Sequence, residues 1–361
     1  MLTYWLMFAL PAMVALMTET QRTRALPGGG SETPVEAWIA VGVILTLLIG
    51  FRYEVGGDWF NYSRNLDDVA GAMLDEVMLM SDPGYQFLSW LSLEMDWDIF
   101  GVNLMAGAIF AIGLVIFCRN LPRPWLALAV AVPYLVIVVA MGYSRQGVAL
   151  GLAMLGLVAL GKKGIGWFVF WVFLAATFHK TAVLLLPLAA LAAAHNRFVA
   201  LAWGVGSLAL GYWLFLEDSV EMLYVNYVEA EYQSSGAMIR LAMNLVPAVM
   251  LFVWRKKFTF SDAELRLWLL FAIISLGLFG IFLVSPSSTA VDRIALYMLP
   301  LQLVVFAHTP DALGEESDPD VSVPLLGVVA YYALVQFVWL NFADNAFAWV
   351  PYRFYPLEAW F

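Results

Sequence analysis

Apolar stretches long enough to span a bilayer recur along almost the whole chain, and that recurrence confines it to folds that live in lipid. A hydrocarbon core about 30 Å thick is crossed by roughly 20 helical residues, fewer where protein thins or shields the bilayer. Segments meeting this test run over residues 1–18, 34–51, 98–118, 124–142, 146–161, 164–178, 181–194, 198–216, 237–254, 267–284, 293–308 and 321–341. The pattern predicts an all-α, polytopic integral membrane protein with about twelve transmembrane helices and a large outer loop after the second. Composition agrees: 63% hydrophobic, 13% charged and a mean hydropathy of +0.82, against about 45–50% and 25% in soluble domains. With no charged or Ser/Pro-rich linker between the segments, residues 1–361 read as a single transmembrane domain. Met1–Met17 lacks a basic leader and a small-residue cleavage site, which predicts a retained helix.

Helix length places two turns. Residues 125–160 as one helix would extend about 54 Å at 1.5 Å per residue, so the chain is expected to fold into hairpins at Arg145 and at His179-Lys180. The Lys/Arg bias of short loops then sets orientation. Arg22/Arg24, Arg119/Arg123, Lys162-Lys163, Arg197, Arg255-Lys256-Lys257 and Arg266 all fall on one side, eleven of the 18 basic residues, and that side is expected to be cytoplasmic. The outside holds 18 of the 28 acidic residues, mostly in loops 52–97 and 217–236. Arg52, Arg145, His179, Lys180, Arg240 and Arg293 consequently land at outer helix ends. Cations are selected against there and usually mark a function, so the outer face is the expected site.

Several chemistries are disfavoured. A net charge of -10 argues against nucleic acid, whose phosphates are bound by clustered Lys and Arg. Cys118 is the single cysteine, so there is no disulfide framework and no CxxC. GxSxG, HExxH, Walker and Rossmann patterns are absent, which argues against transport driven by internal ATP hydrolysis. No cofactor is expected.

The segment Arg52-Tyr-Glu-Val-Gly-Gly-Asp58-Trp-Phe-Asn-Tyr62 opens the first outer loop. If that loop begins in a helix, Asp58 and Tyr62 share a face at i and i+4. Arg145-Gln146-Gly147 interrupts more than thirty apolar residues, and Gly147/Gly151 form a small-residue step suited to close helix packing. His179 is placed to act as a base or as a hydrogen-bond donor. Asp292-Arg293 precedes Tyr297 by about one turn, and Arg240 opens another helix. Each has a bland reading as an ion pair or a snorkelling end. Taken together, four arginines on one face suit bidentate contacts to phosphate, and a pyrophosphate-bearing lipid is the expected ligand. Trp59, Tyr62 and Tyr85 are candidates for stacking on sugars, although interfacial belts also enrich aromatics. Asp96-Trp97-Asp98, and more loosely Glu229-Ala-Glu231, have metal-binding spacing, but such triplets arise easily in acidic loops. No metal is expected, since arginines can stabilise the same charge.

This ordered set resembles the EpsG family of Wzy-like exopolysaccharide polymerases: Arg52-x3-Gly56-x-Asp58-x3-Tyr62, Pro83-Gly84-Tyr85, Arg145-Gln-Gly-Val-Ala149, Lys162-Lys163, Phe178-His179-Lys180, Arg240, Arg293 and Trp349-x-Pro351-Tyr352. Asp82 stands where that pattern has glutamate. The resemblance implies polymerisation of undecaprenyl-diphosphate-linked oligosaccharide repeat units at the periplasmic face of a bacterial inner membrane, beside other exopolysaccharide export proteins. It casts Arg145, Arg240 and Arg293 on diphosphates, Arg52 on the first loop or a second diphosphate, and Asp58 or His179 as base. A lipid-linked oligosaccharide flippase, a polysaccharide ligase and a membrane O-acyltransferase using His179 are the competing expectations.

Overall fold

The computed structural model describes residues 1–24, 34–162, 164–188, 236–285, 288–314 and 323–358, with single positions between 198 and 213. Among these residues it is helical, and its one extended pairing is an isolated bridge between Arg52 and Phe354. The chain runs through α1 (Leu2–Arg24), α2 (Val35–Gly50), three loop helices α3 (Trp59–Val69), α4 (Leu74–Met78) and α5 (Pro83–Glu94), then α6 (Asp98–Arg119), α7 (Pro124–Ala131), α8 (Ser144–Lys162) and α9 (Ile165–Ala176). After these come α10 (Ala237–Trp254), α11 (Asp262–Val284), α12 (Thr289–Ala295), α13 (Pro300–Leu313), α14 (Val323–Phe342) and α15 (Tyr355–Glu358).

Among the described residues six helices are long and apolar enough to cross a membrane: Leu2–Glu19 and the helices α6, α8, α10, α11 and α14. The pair Thr289–Met298 and Pro300–Leu313, bent by 40°, makes a seventh if it is one span. Val35–Gly50, Pro124–Ala140 and Ile165–Ala176 are shorter apolar helices that coincide with expected segments. Residues 189–194 of the segment 181–194, most of the segment 198–216 and loop 217–235 lie outside the described residues, so a count of twelve is not reached here.

Local chemistry explains the breaks. Pro83, Pro124 and Pro300 each begin a helix, where the missing N–H costs nothing. Ser261 caps α11 and Glu264 reaches back to the cap, a reciprocal arrangement that satisfies two terminal donors. After α7 the chain widens into a π-helical segment, Val132–Ala140, before turning at Tyr143. The expected hairpin at Arg145 is therefore present. α6 and α8 cross closely because their small residues meet: a Cβ on Gly113 would fall 2.1 Å from the Gly151 carbonyl oxygen.

The bundle has two polar ends. At one, Arg123 binds Glu19 and Asp311, tying α1, α7 and α13. At the other, the loop helices α3 and α5 cover the start of α8. Arg145 and Lys162 mark opposite ends of α8, about 25 Å apart at 1.5 Å per residue.

Candidate functional site

Arg52 follows α2 and is 1% exposed. Its Nη2 donates to Asn103 Oδ1 and to Ser144 Oγ, both at 2.8 Å. Nη1 donates to the Ile49 carbonyl and Nε to that of Val55 at 3.2 Å. One guanidinium thus ties the end of α2, the first loop, α6 and the start of α8. The chain's far end closes over it: Tyr53 N–H donates to Arg353 O at 3.1 Å and Tyr355 N–H to Phe51 O at 2.8 Å. Gly56 lets the loop lie flat on the turn after the π-helical segment, since at φ +110° a Cβ would stand 2.2 Å from the Met141 oxygen. Trp349 is buried, and its indole N–H donates to Ile137 O at 2.7 Å.

Arg145 is enclosed differently. Nη1 donates to Asp82 Oδ2 at 3.2 Å and Nη2 to Asn65 Oδ1 at 3.0 Å. Its guanidinium carbon lies 5.1 Å from the Tyr85 ring centre and 5.6 Å from that of Tyr62, close enough for cation–π attraction. Its buried Nε has no acceptor among the described residues. Asn65 is itself fixed by reciprocal amide bonds with Gln86, at 2.7 and 3.2 Å. Asp82 occupies the left-handed region, φ 56° and ψ 58°, immediately before Pro83. That conformation is uncommon outside glycine and is seen where surroundings over-determine it. Here Gly84 N–H donates to Thr177 O at 2.9 Å, which docks the segment against the His179 turn.

A third cluster adjoins the second. Gln146 Nε2 donates to the Arg293 carbonyl at 2.6 Å, and Arg293 Nη1 lies 3.4 Å from Gln146 Oε1. The Arg293 guanidinium stacks 4.4 Å from the Tyr143 ring centre. His179 Nδ1 is 2.7 Å from Thr181 Oγ1 and 3.3 Å from the Tyr297 hydroxyl. Burial, then the charges of Arg293 and Arg145, push the His179 pKa down to about 3, so the ring is neutral. Asp58 stands at the N-cap position of α3 without a side-chain cap bond, and Asn61 Nδ2 donates to its Oδ1 at 3.5 Å. Burial raises its pKa above the ordinary 3.8, against the opposing pull of Arg293, Asn61 and Arg145. Among the described residues Asp58 makes no ion pair, whereas Asp82 is committed to Arg145.

Residues 52–62, 82–86, 143–146, 177–181 and 292–297 therefore converge on one end of the bundle. The EpsG family profile matches residues 37–354, a span that contains every one of them. The chain belongs to the EpsG family. No match was found among curated proteins or among solved structures.

Within this EpsG-family chain the sequence-based candidates separate by environment. Arg145, Arg293, Asp58 and His179 share the convergent region and feel one another's charge. Arg240 stands beside it, its Nη2 2.6 Å from Asp292 Oδ2 and its Nε on Oδ1, a two-point grip. Arg52 lies beneath it. Trp59 is buried against Tyr53 and Phe100, and Tyr62 and Tyr85 turn their rings to Arg145. Asp96, in the turn before α6, and Asp98, its first residue, both adopt positive φ, and among the described residues no group of three or more His, Cys, Asp or Glu gathers for a metal. Glu229 and Glu231 lie outside the described residues. Nothing in the sequence marks Asn65, Gln86, Asn103 or Ser144 as part of the site, whereas Gln146 belongs to the Arg145-Gln146-Gly147 motif that interrupts an apolar run.

Proposed function

We propose that this EpsG-family protein is a Wzy-like polymerase, a glycosyltransferase that joins undecaprenyl-diphosphate-linked oligosaccharide repeat units at the periplasmic face of a bacterial inner membrane. In this reading the twelve-span topology holds and the arginine end of the bundle faces outward. The observation that carries the proposal is the meeting of Arg145 and Arg293 with Asp58, a carboxylate that makes no ion pair among the described residues, and a neutral histidine, His179, at one end of a helical membrane bundle.

The proposed reaction follows from these groups. A sugar hydroxyl of the acceptor unit attacks the anomeric carbon of the growing chain, and the bond from that carbon to the lipid diphosphate breaks. Asp58 takes the hydroxyl proton; its raised pKa brings it nearer to working pH than an ordinary aspartate, which favours general-base catalysis. Negative charge gathers on the departing diphosphate, where Arg145 and Arg293 stabilise it in a site preorganised by Asp82, Asn65, Gln146 and Tyr143. Neutral His179 hydrogen-bonds substrate in place of carrying charge. Arg52 and Arg240 hold the frame in this reading, a division of labour that differs from the sequence expectation of four diphosphate ligands.

Purified protein in a lipid nanodisc, given a lipid-diphosphate repeat unit, is expected to produce a ladder of products one repeat apart. A single en bloc transfer to a different acceptor would identify a ligase, and translocation with no new glycosidic bond a flippase.

A further inference from the structure

Between α12 and α13 the membrane-embedded chain breaks and bends by 40°. The α-helical donor for the Ala295 carbonyl would be the Leu299 N–H, but that group bonds to Leu296 O at 3.2 Å, and Pro300 brings no N–H. In lipid such a break is tolerated only where neighbours supply the missing partners. Asn244 supplies one: its Nδ2 donates to Ala295 O at 2.9 Å. Its Oδ1 accepts from Gln302 Nε2 at 2.6 Å, on the far side of the break. Gln302 Oε1 in turn accepts from the Tyr332 hydroxyl of α14. Asn244, Gln302 and Tyr332 are 2%, 2% and 1% exposed.

This chain of amides ends in a useful place. One turn before Asn244 on α10 is Arg240, which grips Asp292, the residue preceding Arg293. The helix α10 thus holds the half-helix α12 at two points one turn apart, and Asn244 hydrogen-bonds on both sides of the bend. Polar side chains inside a membrane are costly and usually serve function. A continuous helix would have needed none of these contacts.

We infer that Asn244 is a positioning residue: by bridging Ala295 and Gln302 across the break, braced by Tyr332, it sets the tilt of the half-helix that presents Arg293 to the site. Its kinetic consequence rests on the proposed polymerase reading; its geometric consequence does not.

The test uses full-length protein with Cys118 replaced by Ala and nitroxide labels on cysteines at Ala290 and Phe347, with Leu10 and Phe347 as a control pair. Asn244→Leu keeps the size and removes both hydrogen bonds. It is expected to shift or broaden the 290–347 distance distribution, leave the 10–347 distribution unchanged, and lower kcat for the lipid-diphosphate unit about tenfold with KM within about threefold. Should that variant not accumulate, Tyr332→Phe, which deletes one hydroxyl, is expected to move the same distance in the same direction by less. An unchanged 290–347 distribution, or equal changes in both pairs, overturns the inference. If wild-type protein makes no polymer, the polymerase reading falls while the distance measurements still decide whether Asn244 sets the tilt.

Discussion

Arg145 and Asp82, 63 residues apart in sequence, meet at 3.2 Å, with the arginine's second terminal nitrogen on Asn65. The guanidinium is held as a fork, each prong on a separate acceptor. Lysine keeps the charge and loses that geometry. Arg145→Lys is therefore expected to lose about 2–4 kcal/mol of transition-state stabilisation, on the order of 30- to 1000-fold in polymerisation rate. Membrane levels, followed by immunoblot, should match wild type. A lysine variant that polymerises normally would reduce Arg145 to a source of positive charge.

Asp58 and His179 differ in the direction burial takes them, which makes pH a discriminating probe. A base must be deprotonated, so activity falls as pH drops through its pKa. If Asp58 is the base, the acid limb of kcat/KM lies above 3.8, because burial raises its pKa. If His179 is the base, the limb lies near 3. The expected result is a limb above 3.8 that disappears in Asp58→Asn and persists in His179→Gln.

Arg52 offers the contrast to Arg145. Among the described residues its guanidinium hydrogen-bonds inward, to Ile49, Val55, Asn103 and Ser144, and lies over the buried Trp59 ring. Removing one partner from a buried polar cluster leaves the others unmatched. Arg52→Ala is expected to cost about 3–5 kcal/mol of stability, seen as a lower thermal midpoint in detergent and as poor accumulation. Arg145→Ala, at a partly exposed site, should unfold near the wild-type temperature yet be inactive.

Orientation is open to chemical labelling. Leu79, 88% exposed between α4 and α5, lies at the arginine end, and Lys256 lies after α10 at the other. With Cys118 replaced, a cysteine at position 79 should react with an impermeant maleimide in intact spheroplasts. One at position 256 should react only after lysis. The reverse pattern would place the arginine end in the cytoplasm and remove the proposed substrate from its reach.

Much of this architecture could be read along the chain. Hydropathy is a property of each segment taken alone, so the membrane class and the hairpin turn beside Arg145 were visible in one dimension, whereas the segment expected to run unbroken over residues 293–308 bends at Pro300. The same holds for the helix-packing role of Gly151, since small residues at helical spacing describe one face of one helix. The order of the motifs was enough to indicate the EpsG family.

The difference between one arginine and another was not legible, because it depends on partners far away in sequence. Arg52 and Arg145 look alike as cations at helix ends. Packing puts Asn103 and Ser144, 51 and 92 residues distant, around the first, and Asp82, Tyr62 and Tyr85 around the second. Arg240 and Arg293 diverge in the same way: Asp292 takes the first, and the Tyr143 ring lies against the second. Local sequence fixes which residues are too polar for lipid. Only the tertiary structure decides which of those polar groups satisfy one another and which stand together at the site, because a guanidinium has five donors and the fold chooses the acceptors.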